Sequence, residues 1–215
     1  MLGLACGVAA HASGAPAPTH FRLTMVGTAH QEWSFTAAPV VEGSCRRTET
    51  SEGIRSVSFR TKKPVTVRLS GGRVLPVVVR GIAGTVTLGG ANTTEEICGG
   101  TGTTKTGDCA QTKRSFAAAT VRAASPGRGV LALSGIANVR LATADCPREP
   151  VEVIMRPLGP PPKLLRLPKA ALMERRVARI TLGATRTQRK VYGAPESGHL
   201  DERTQWSLTF VRVTR

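Results

Sequence analysis

The sequence predicts an all-β protein, an antiparallel β-sandwich made of one large or two small sandwich units. Apolar residues make up 40% of the 215 residues and aromatic residues only 4%, so the core has to be built mainly from aliphatic side chains. The 23 Gly and 14 Pro residues interrupt the chain at short intervals, which favours strands over long helices. Many short segments alternate apolar and polar residues, which is the pattern of a strand with one buried face.

The alternating segments follow one another along the chain from residue 20 onwards. The predicted strands are residues 21–25, 31–35, 56–60, 65–69, 77–80, 84–88, 115–123, 129–133, 139–142 and 151–155. Turns rich in Gly and Pro separate them, including one at residues 27–30. Residues 92–113 are rich in Gly and Thr and lack the alternation, so they are predicted to form an exposed loop.

The C-terminal part begins with a proline-rich segment, residues 157–168. Proline has no backbone N–H to donate to a central strand, so this segment is predicted to be a stiff connector. Residues 169–176 have high helix propensity and follow Pro168, which suits a helix start, so they predict one short helix. Closing strands are predicted at residues 179–182, 190–192 and 204–213. The predicted organisation is a leader (1–17), a β-rich domain (18–156), the connector, and a final part (169–215) packed on the same β core.

The leader has the composition of a signal peptide. An apolar segment is followed by the small residues Ala10-His11-Ala12, which have the A-x-A pattern of a cleavage site. This pattern predicts a secreted or envelope-associated protein. A lipidated Cys6 is the alternative, although Gly3 stands where a lipoprotein signal has an aliphatic residue.

Removal of the leader would leave four cysteines: Cys45, Cys98, Cys109 and Cys146. Four cysteines allow three disulfide connectivities. The glycine-rich residues between Cys98 and Cys109 favour a local bridge between these two, and Cys45–Cys146 then follows by elimination. No C-x-x-C motif is present and the histidines lack ligand spacing, so no metal site is predicted.

The formal net charge of +16 comes from 23 Arg and 7 Lys against 14 acidic residues. A positive surface concentrates polyanions such as nucleic acid, anionic lipid or acidic envelope polymers. The alternative is compositional, because a GC-rich genome favours Arg, Ala, Gly and Pro. If the charge is functional, one outer strand face is the candidate polyanion-binding surface: Arg60, Arg68, Arg80, Arg122 and Arg140.

Nucleic-acid binding is disfavoured by the aromatic residues. Proteins that hold single strands present aromatic rings on which bases stack. Trp33 and Trp206 instead alternate with other apolar residues, which predicts that both lie in the core.

Motifs for catalysis are weak in this sequence. It contains no G-x-S-x-G elbow. Ser197, His199 and Asp201 are the one local grouping of catalytic residue types, but the members of a triad converge in space rather than in sequence. The glycine-rich residues 99–106 lack the G-K-[ST] ending of a phosphate-binding loop. No catalytic residue and no cofactor is predicted.

Several short motifs are spread over most of the chain. They are Trp33-Ser34-Phe35, Gly43-Ser44-Cys45, Phe59-Arg60-Thr61, Asp108-Cys109, Asp145-Cys146-Pro147 and the terminal Trp206-x-Leu208-x-Phe210. Together with the leader, they resemble exported proteins of high-GC Gram-positive bacteria that have no assigned activity. The resemblance implies export and a β architecture.

Three functions are therefore considered. The first is a non-enzymatic, envelope-associated β protein that binds anionic wall polymers or a membrane surface through its basic faces. The second is a secreted, hydrolase-like enzyme with a site built from the loops at residues 98–113 and 192–203. The third is a protein that binds nucleic acid or another polyanion. The leader disfavours nucleic acid as the ligand. The oligomeric state is not predicted.

Overall fold

The computed structural model describes residues 19–136, 149–168 and 177–213. Within these ranges the strands are β1 (Thr19–Thr36), β2 (Val40–Glu42), β3 (Cys45–Thr61), β4 (Val65–Ser70), β5 (Arg73–Val74), β6 (Val77–Cys98), β7 (Thr101–Ala124), β8 (Val130–Ile136), β9 (Leu165–Arg166), β10 (Arg179–Tyr192) and β11 (Ser197–Arg212), and the helix is α1 (Val151–Met155). The leader with Cys6, the strand predicted at 139–142 with Arg140, Cys146 and the helix predicted at 169–176 lie outside the described residues.

The strands form an antiparallel sheet in the order β10-β11-β1-β3-β6-β7-β8-β9. Strand β2 is added to β3, and β4 pairs with both β1 and β5. Strands β9 and β10, at opposite ends of this order, contact each other, so the sheet curls around a shared interior. The predicted all-β, antiparallel, sandwich-like fold is confirmed. Among the described residues, no helix has the length and hydropathy that a membrane crossing requires.

The inner face of the sheet carries the core. Phe21, Leu23 and Met25 on β1 and Leu208 and Phe210 on β11 are at most 1% exposed. Burying one such side chain contributes about 1.5–3 kcal/mol relative to leaving it in water. The core also includes Leu158, Leu165 and Leu167 from the proline-rich segment, and Ile180 and Leu182 from β10. The N-terminal and C-terminal strands therefore share one core.

A second, smaller core cluster lies under α1. It consists of Trp33, Leu88, Val153, Tyr192 and Leu200. Trp33 is 3% exposed and Trp206, in the main core, is 2% exposed, which confirms that both tryptophans are core residues.

The turn predicted at residues 27–30 is wrong, because strand β1 continues through these residues. Gly27 lies on the inner face, where an added Cβ would be 2.4 Å from the Phe59 ring. Gly53 on β3 is covered in the same way by Trp33, whose ring would be 2.2 Å from an added Cβ. A glycine within a strand allows this close approach of a ring. Gly27 is therefore part of a strand and does not mark a turn.

The loop predicted at residues 92–113 is also wrong. These residues form the ends of β6 and β7, joined by a tight turn at Gly99 and Gly100, whose φ angles are +55° and +88°. The β-branched threonines favour strand backbone. The apolar–polar alternation is missing here because, on both faces of the hairpin, most side chains are at least partly exposed.

Val151–Met155 forms a helix where the alternation of valines predicted a strand. The carbonyl of Pro150 accepts hydrogen bonds from the amides of Val153 and Ile154, at 2.9 and 3.2 Å. Val153 is buried, whereas Val151 and Ile154 are exposed. Five residues are too few to distinguish a helix from a strand by periodicity. The conformation of this segment therefore depends on the tertiary packing of Val153.

The favoured disulfide pairing is wrong as well, because Cys45 is bonded to Cys98. The two residues face each other in the register of β3 and β6. The pairing therefore follows from strand register and not from closeness in sequence. The backbone of Cys109 lies in β7 opposite Gly90. The same bond overturns the predicted Cys45–Cys146 pair. Of the three possible connectivities, the one that contains Cys45–Cys98 would pair Cys109 with Cys146, which lies outside the described residues.

Candidate functional site

The outward-facing residues of β11, β1, β3, β6 and β7 form regular rows across the sheet. One row consists of Gln205, Thr28, Ser58, Thr85 and Ser115, and the next of Arg203, His30, Ser56, Thr87 and Lys113. Neighbouring strands are about 4.8 Å apart, so each five-strand row extends over about 19 Å. The rows place many hydroxyl groups on one surface, with cationic side chains at both ends of the second row.

A shallow groove of about 530 Å³ follows these two rows, and we call it the first groove. It is lined by Thr28, Ala29, His30, Ser56, Val57, Ser58, Thr85, Thr87, Lys113, Arg203 and Gln205. Two hydrogen bonds order the exposed hydroxyl groups. Ser58 Oγ and Thr85 Oγ1 are 2.9 Å apart, and His30 Nδ1 is 3.1 Å from Ser56 Oγ. Polar side chains of neighbouring strands are therefore paired within the groove.

A second groove of about 910 Å³ adjoins the first and shares Thr28, Ser58, Thr85 and Gln205 with it. It adds the basic residues Arg60 and Lys62. The side chains of Phe59, Phe116 and Trp206 also border it, but they are only 4%, 9% and 2% exposed. In the part of the chain that the structure describes, the residues that line the two grooves include no Asp or Glu.

Acidic residues begin in the next row of the outer face. Glu32 on β1 faces Asp201 on β11 in the register. Asp201 is 3.8 Å from Arg189 and 3.7 Å from His199, so the cation of Arg189 partly neutralises the charge of Asp201. The basic surface formed by the two grooves therefore ends at this row.

The arginines singled out from the sequence are only partly brought together. Arg60 lines the second groove. Arg68, Arg80 and Arg122 are exposed on β4, β6 and β7 but do not line either groove. Arg140 lies outside the described residues.

Sequence reasoning missed Lys62, Lys113, Arg203 and His30 as groove residues. Of these, His30 and Arg203 alternate with buried neighbours, which indicates an outward orientation, whereas Lys62 and Lys113 do not. Which of them share a row, however, depends on the strand register, and no local pattern in the sequence reports that register.

The inner face holds a separate set of polar residues around α1. Arg55 is 1% exposed and donates hydrogen bonds to the carboxylate of Glu149 and the carbonyl of Val153. Burial lowers the pKa of Arg55 and raises the pKa of Glu149, and their ion pair opposes both shifts. This pair fixes the start of the 149–156 segment to β3.

Glu152 attaches α1 to β10. Its carboxylate accepts hydrogen bonds from the Tyr192 hydroxyl, at 2.7 Å, and from Lys190. Burial raises the pKa of Glu152, but these hydrogen bonds outweigh it and the net shift is downward. Burial, and then the hydrogen bond to Glu152, raise the pKa of Tyr192.

Glu202 lies deeper on the inner face. It accepts a hydrogen bond of 2.7 Å from the Gln31 side-chain amide, and its other oxygen is 3.9 Å from Arg156. Burial raises the pKa of Glu202. These carboxylates are engaged with partners of the same chain, which indicates that they hold the 149–156 segment on the sheet.

The residues of the local catalytic grouping lie in a row on one strand, β11. Ser197, His199 and Asp201 alternate along β11 and point to the same side, with 3.7 Å between His199 Nε2 and Asp201 Oδ2.

The two segments considered for a loop-built enzyme site lie in different hairpins. Residues 98–113 belong mainly to the β6–β7 hairpin and residues 192–203 to the β10–β11 hairpin. Strands β1, β3 and β6 separate β11 from β7 in the sheet, so the two segments do not adjoin.

One group of potential metal ligands converges among the described residues: Cys45, Glu96 and Cys98. Metal binding by cysteine requires the thiolate. Because the two sulfur atoms are joined in a disulfide, neither can supply one. The group therefore does not support a metal site.

Comparisons of the chain with models of known protein families, with curated proteins and with solved structures found no match. The chemistry of the outer face is thus the basis for a functional proposal.

Proposed function

We propose that this protein is a non-enzymatic binding protein that holds an anionic polymer along the two grooves of its outer face. The observation that carries the proposal is the charge of the lining: among the described residues it includes the cations Arg60, Lys62, Lys113 and Arg203 and no carboxylate. Clefts lined by one sign of charge raise the local concentration of the opposite charge. The net charge of +16 adds a long-range attraction.

The proposed location is outside the cytoplasm, in the cell envelope or secreted. Disulfides persist mainly in oxidising compartments, so Cys45–Cys98 supports this proposal together with the leader composition. The available polyanions would then be acidic wall polymers or a membrane surface. The groove rows extend over about 19 Å across the strands, which suits an elongated polymer better than a single small anion.

Retention on an immobilised glycerol-phosphate polymer tests the proposal. The groove variant is Lys113→Gln/Arg203→Gln, and the matched control is Arg68→Gln/Arg122→Gln, which removes the same charge from exposed strand positions outside the grooves. We expect the groove variant to weaken binding about tenfold at low salt, equivalent to about 1.4 kcal/mol, and the control to have a much smaller effect. Added salt should weaken binding of the unmodified protein.

Two results would contradict the proposal. One is no retention of the unmodified protein even at low salt. The other is an equal loss for the groove and control variants, which would mean that the charge acts without a defined site.

A further inference from the structure

We infer that the polymer is an acidic glycan, recognised through its sugar hydroxyl groups as well as its charge. This inference rests on the proposed function and specifies the ligand of the same grooves. It is carried by the composition of the first groove, where Ser56 and Thr87 stand between His30 and Lys113 in one row, and Thr28, Ser58 and Thr85 form the next.

Hydroxyl groups recognise a different chemistry from cations. Lys and Arg only donate hydrogen bonds, whereas Ser and Thr both donate and accept them. Phosphate and sulfate oxygens only accept, so a site for these groups alone needs donors only. Sugar hydroxyls donate and accept, and they therefore complement a floor of Ser and Thr side chains. The cations at the ends of the row remain available for carboxylate or sulfate groups.

Two other kinds of polyanion fit the grooves less well. Nucleic acid gains affinity by stacking bases on exposed aromatic rings. The rings that border the second groove, Phe59, Phe116 and Trp206, are nearly fully buried beneath it. A lipid bilayer gains affinity through apolar side chains that enter it. Among the described lining residues, Val26, at 50% exposure, is the one large apolar side chain that is exposed.

The positions of the cations also give the direction of the glycan. Arg203 lies on β11 and Lys113 on β7, with β1, β3 and β6 between them. Four strand spacings separate these two cations, which is about 19 Å. A glycan that contacts both therefore crosses the strands, and fragments too short to reach from one to the other should bind more weakly.

The experiment measures the affinity of the full-length protein for three polymers of similar length. Alginate has carboxylates and hydroxyls, inorganic polyphosphate has charge without hydroxyls, and dextran is neutral. The hydroxyl variant is Ser56→Ala/Thr87→Val. Its matched control is Thr181→Val/Thr209→Val, which removes a hydroxyl pair 3.4 Å apart on β10 and β11, outside both grooves. Tryptophan fluorescence and circular dichroism check that each variant is folded.

We expect alginate to bind most tightly and dextran not to bind measurably. The hydroxyl variant should weaken alginate binding at least about fivefold, because two hydrogen bonds to the glycan are lost. It should weaken polyphosphate binding less than alginate binding, because phosphate oxygens can use the hydroxyl groups only as donors. The control variant should bind both probes as tightly as the unmodified protein does. Equal affinity for alginate and polyphosphate, or no effect of the hydroxyl variant, would overturn the glycan inference while anion binding stands. A failure to bind either polyanion would overturn the proposed function itself.

Discussion

The two faces of the same strands carry polar residues for different reasons. On the inner face, Arg55, Glu149 and Glu202 are buried, and each has a charged or hydrogen-bonding partner within the chain. On the outer face, Lys113 and Arg203 are exposed along a groove whose described lining residues include no carboxylate. Alternation along a strand produces both arrangements, since successive side chains point to opposite faces.

The contrast separates stability from binding. A buried charge must be paired, because burying it alone costs several kcal/mol. An exposed charge remains hydrated and costs little, so it is available for a ligand. We therefore expect substitutions on the inner face to change the free energy of unfolding, and substitutions on the outer face to change polymer binding.

The largest expected effect is that of Arg55→Met, which leaves Glu149 buried without its partner. Breaking a buried ion pair from one side typically destabilises a protein by about 3–5 kcal/mol. Urea denaturation followed by tryptophan fluorescence measures this change. Arg203→Met is the matched control on the outer face, and it should change the free energy of unfolding by no more than about 0.5 kcal/mol while weakening polymer binding.

A second variant keeps this prediction testable if Arg55→Met does not fold. Arg55→Met/Glu149→Met replaces both charges with apolar side chains, and such replacements are often neutral or stabilising. It should recover most of the lost stability. Equal stability of Arg55→Met and Arg203→Met would show that the two faces do not differ in the way described.

Removal of the disulfide is expected to have the next largest effect. The bond closes a segment with a sequence separation of 53 residues, and Cys45→Ser/Cys98→Ser should lower the free energy of unfolding by about 2–4 kcal/mol. Cys45 and Cys98 lie next to the turns at the ends of β3 and β6, away from the grooves. Polymer binding by the folded variant should therefore be unchanged.

Reduction of the unmodified protein provides the control for the serine variant. Its midpoint of urea denaturation should fall toward that of Cys45→Ser/Cys98→Ser when reductant is added. A serine variant as stable as the oxidised protein would mean that this bridge contributes nothing to the fold. Peptide mapping without reduction would identify the pairing of the other cysteines.

The fold class could be predicted from the sequence because alternation survives in the strands with one buried face. Phe21, Leu23 and Met25 show it, as do Trp206, Leu208 and Phe210. Strand ends with both faces exposed, as in residues 92–113, have no such pattern, and they were mistaken for a loop. Local alternation also could not separate the short helix α1 from a strand.

The site could be predicted only in part. Arg60 was identified, whereas the row from Lys113 to Arg203 joins residues 90 positions apart in sequence through four strand pairings. The Cys45–Cys98 bond depends on the same register. The buried position of Arg55 could have been found, because it alternates with Val57 and Phe59 on the inner face. An arginine in that pattern predicts a buried partner, but not which one.

The smallest expected effect concerns Tyr192, the one tyrosine in the sequence, so tyrosinate absorbance reports this residue alone. Burial and the hydrogen bond to Glu152 raise its pKa above the usual value of 10.0. A raised pKa in the folded state means that the folded protein binds the phenol proton more tightly than the unfolded chain does. The stability from this contact is therefore present below pH 10 and is lost as the pH rises above it.

In the folded protein, tyrosinate should form only well above pH 10, and in urea it should form near the ordinary value. Glu152→Gln removes the charge that opposes ionisation, so its tyrosinate should appear at lower pH than in the unmodified protein. Glu32→Gln, which removes an exposed acid on the outer face, should leave the titration unchanged. An identical titration of Tyr192 in all three proteins would show that Glu152 does not hold α1 to β10, and that part of the inner network would then be assigned to Arg55 and Glu149 alone.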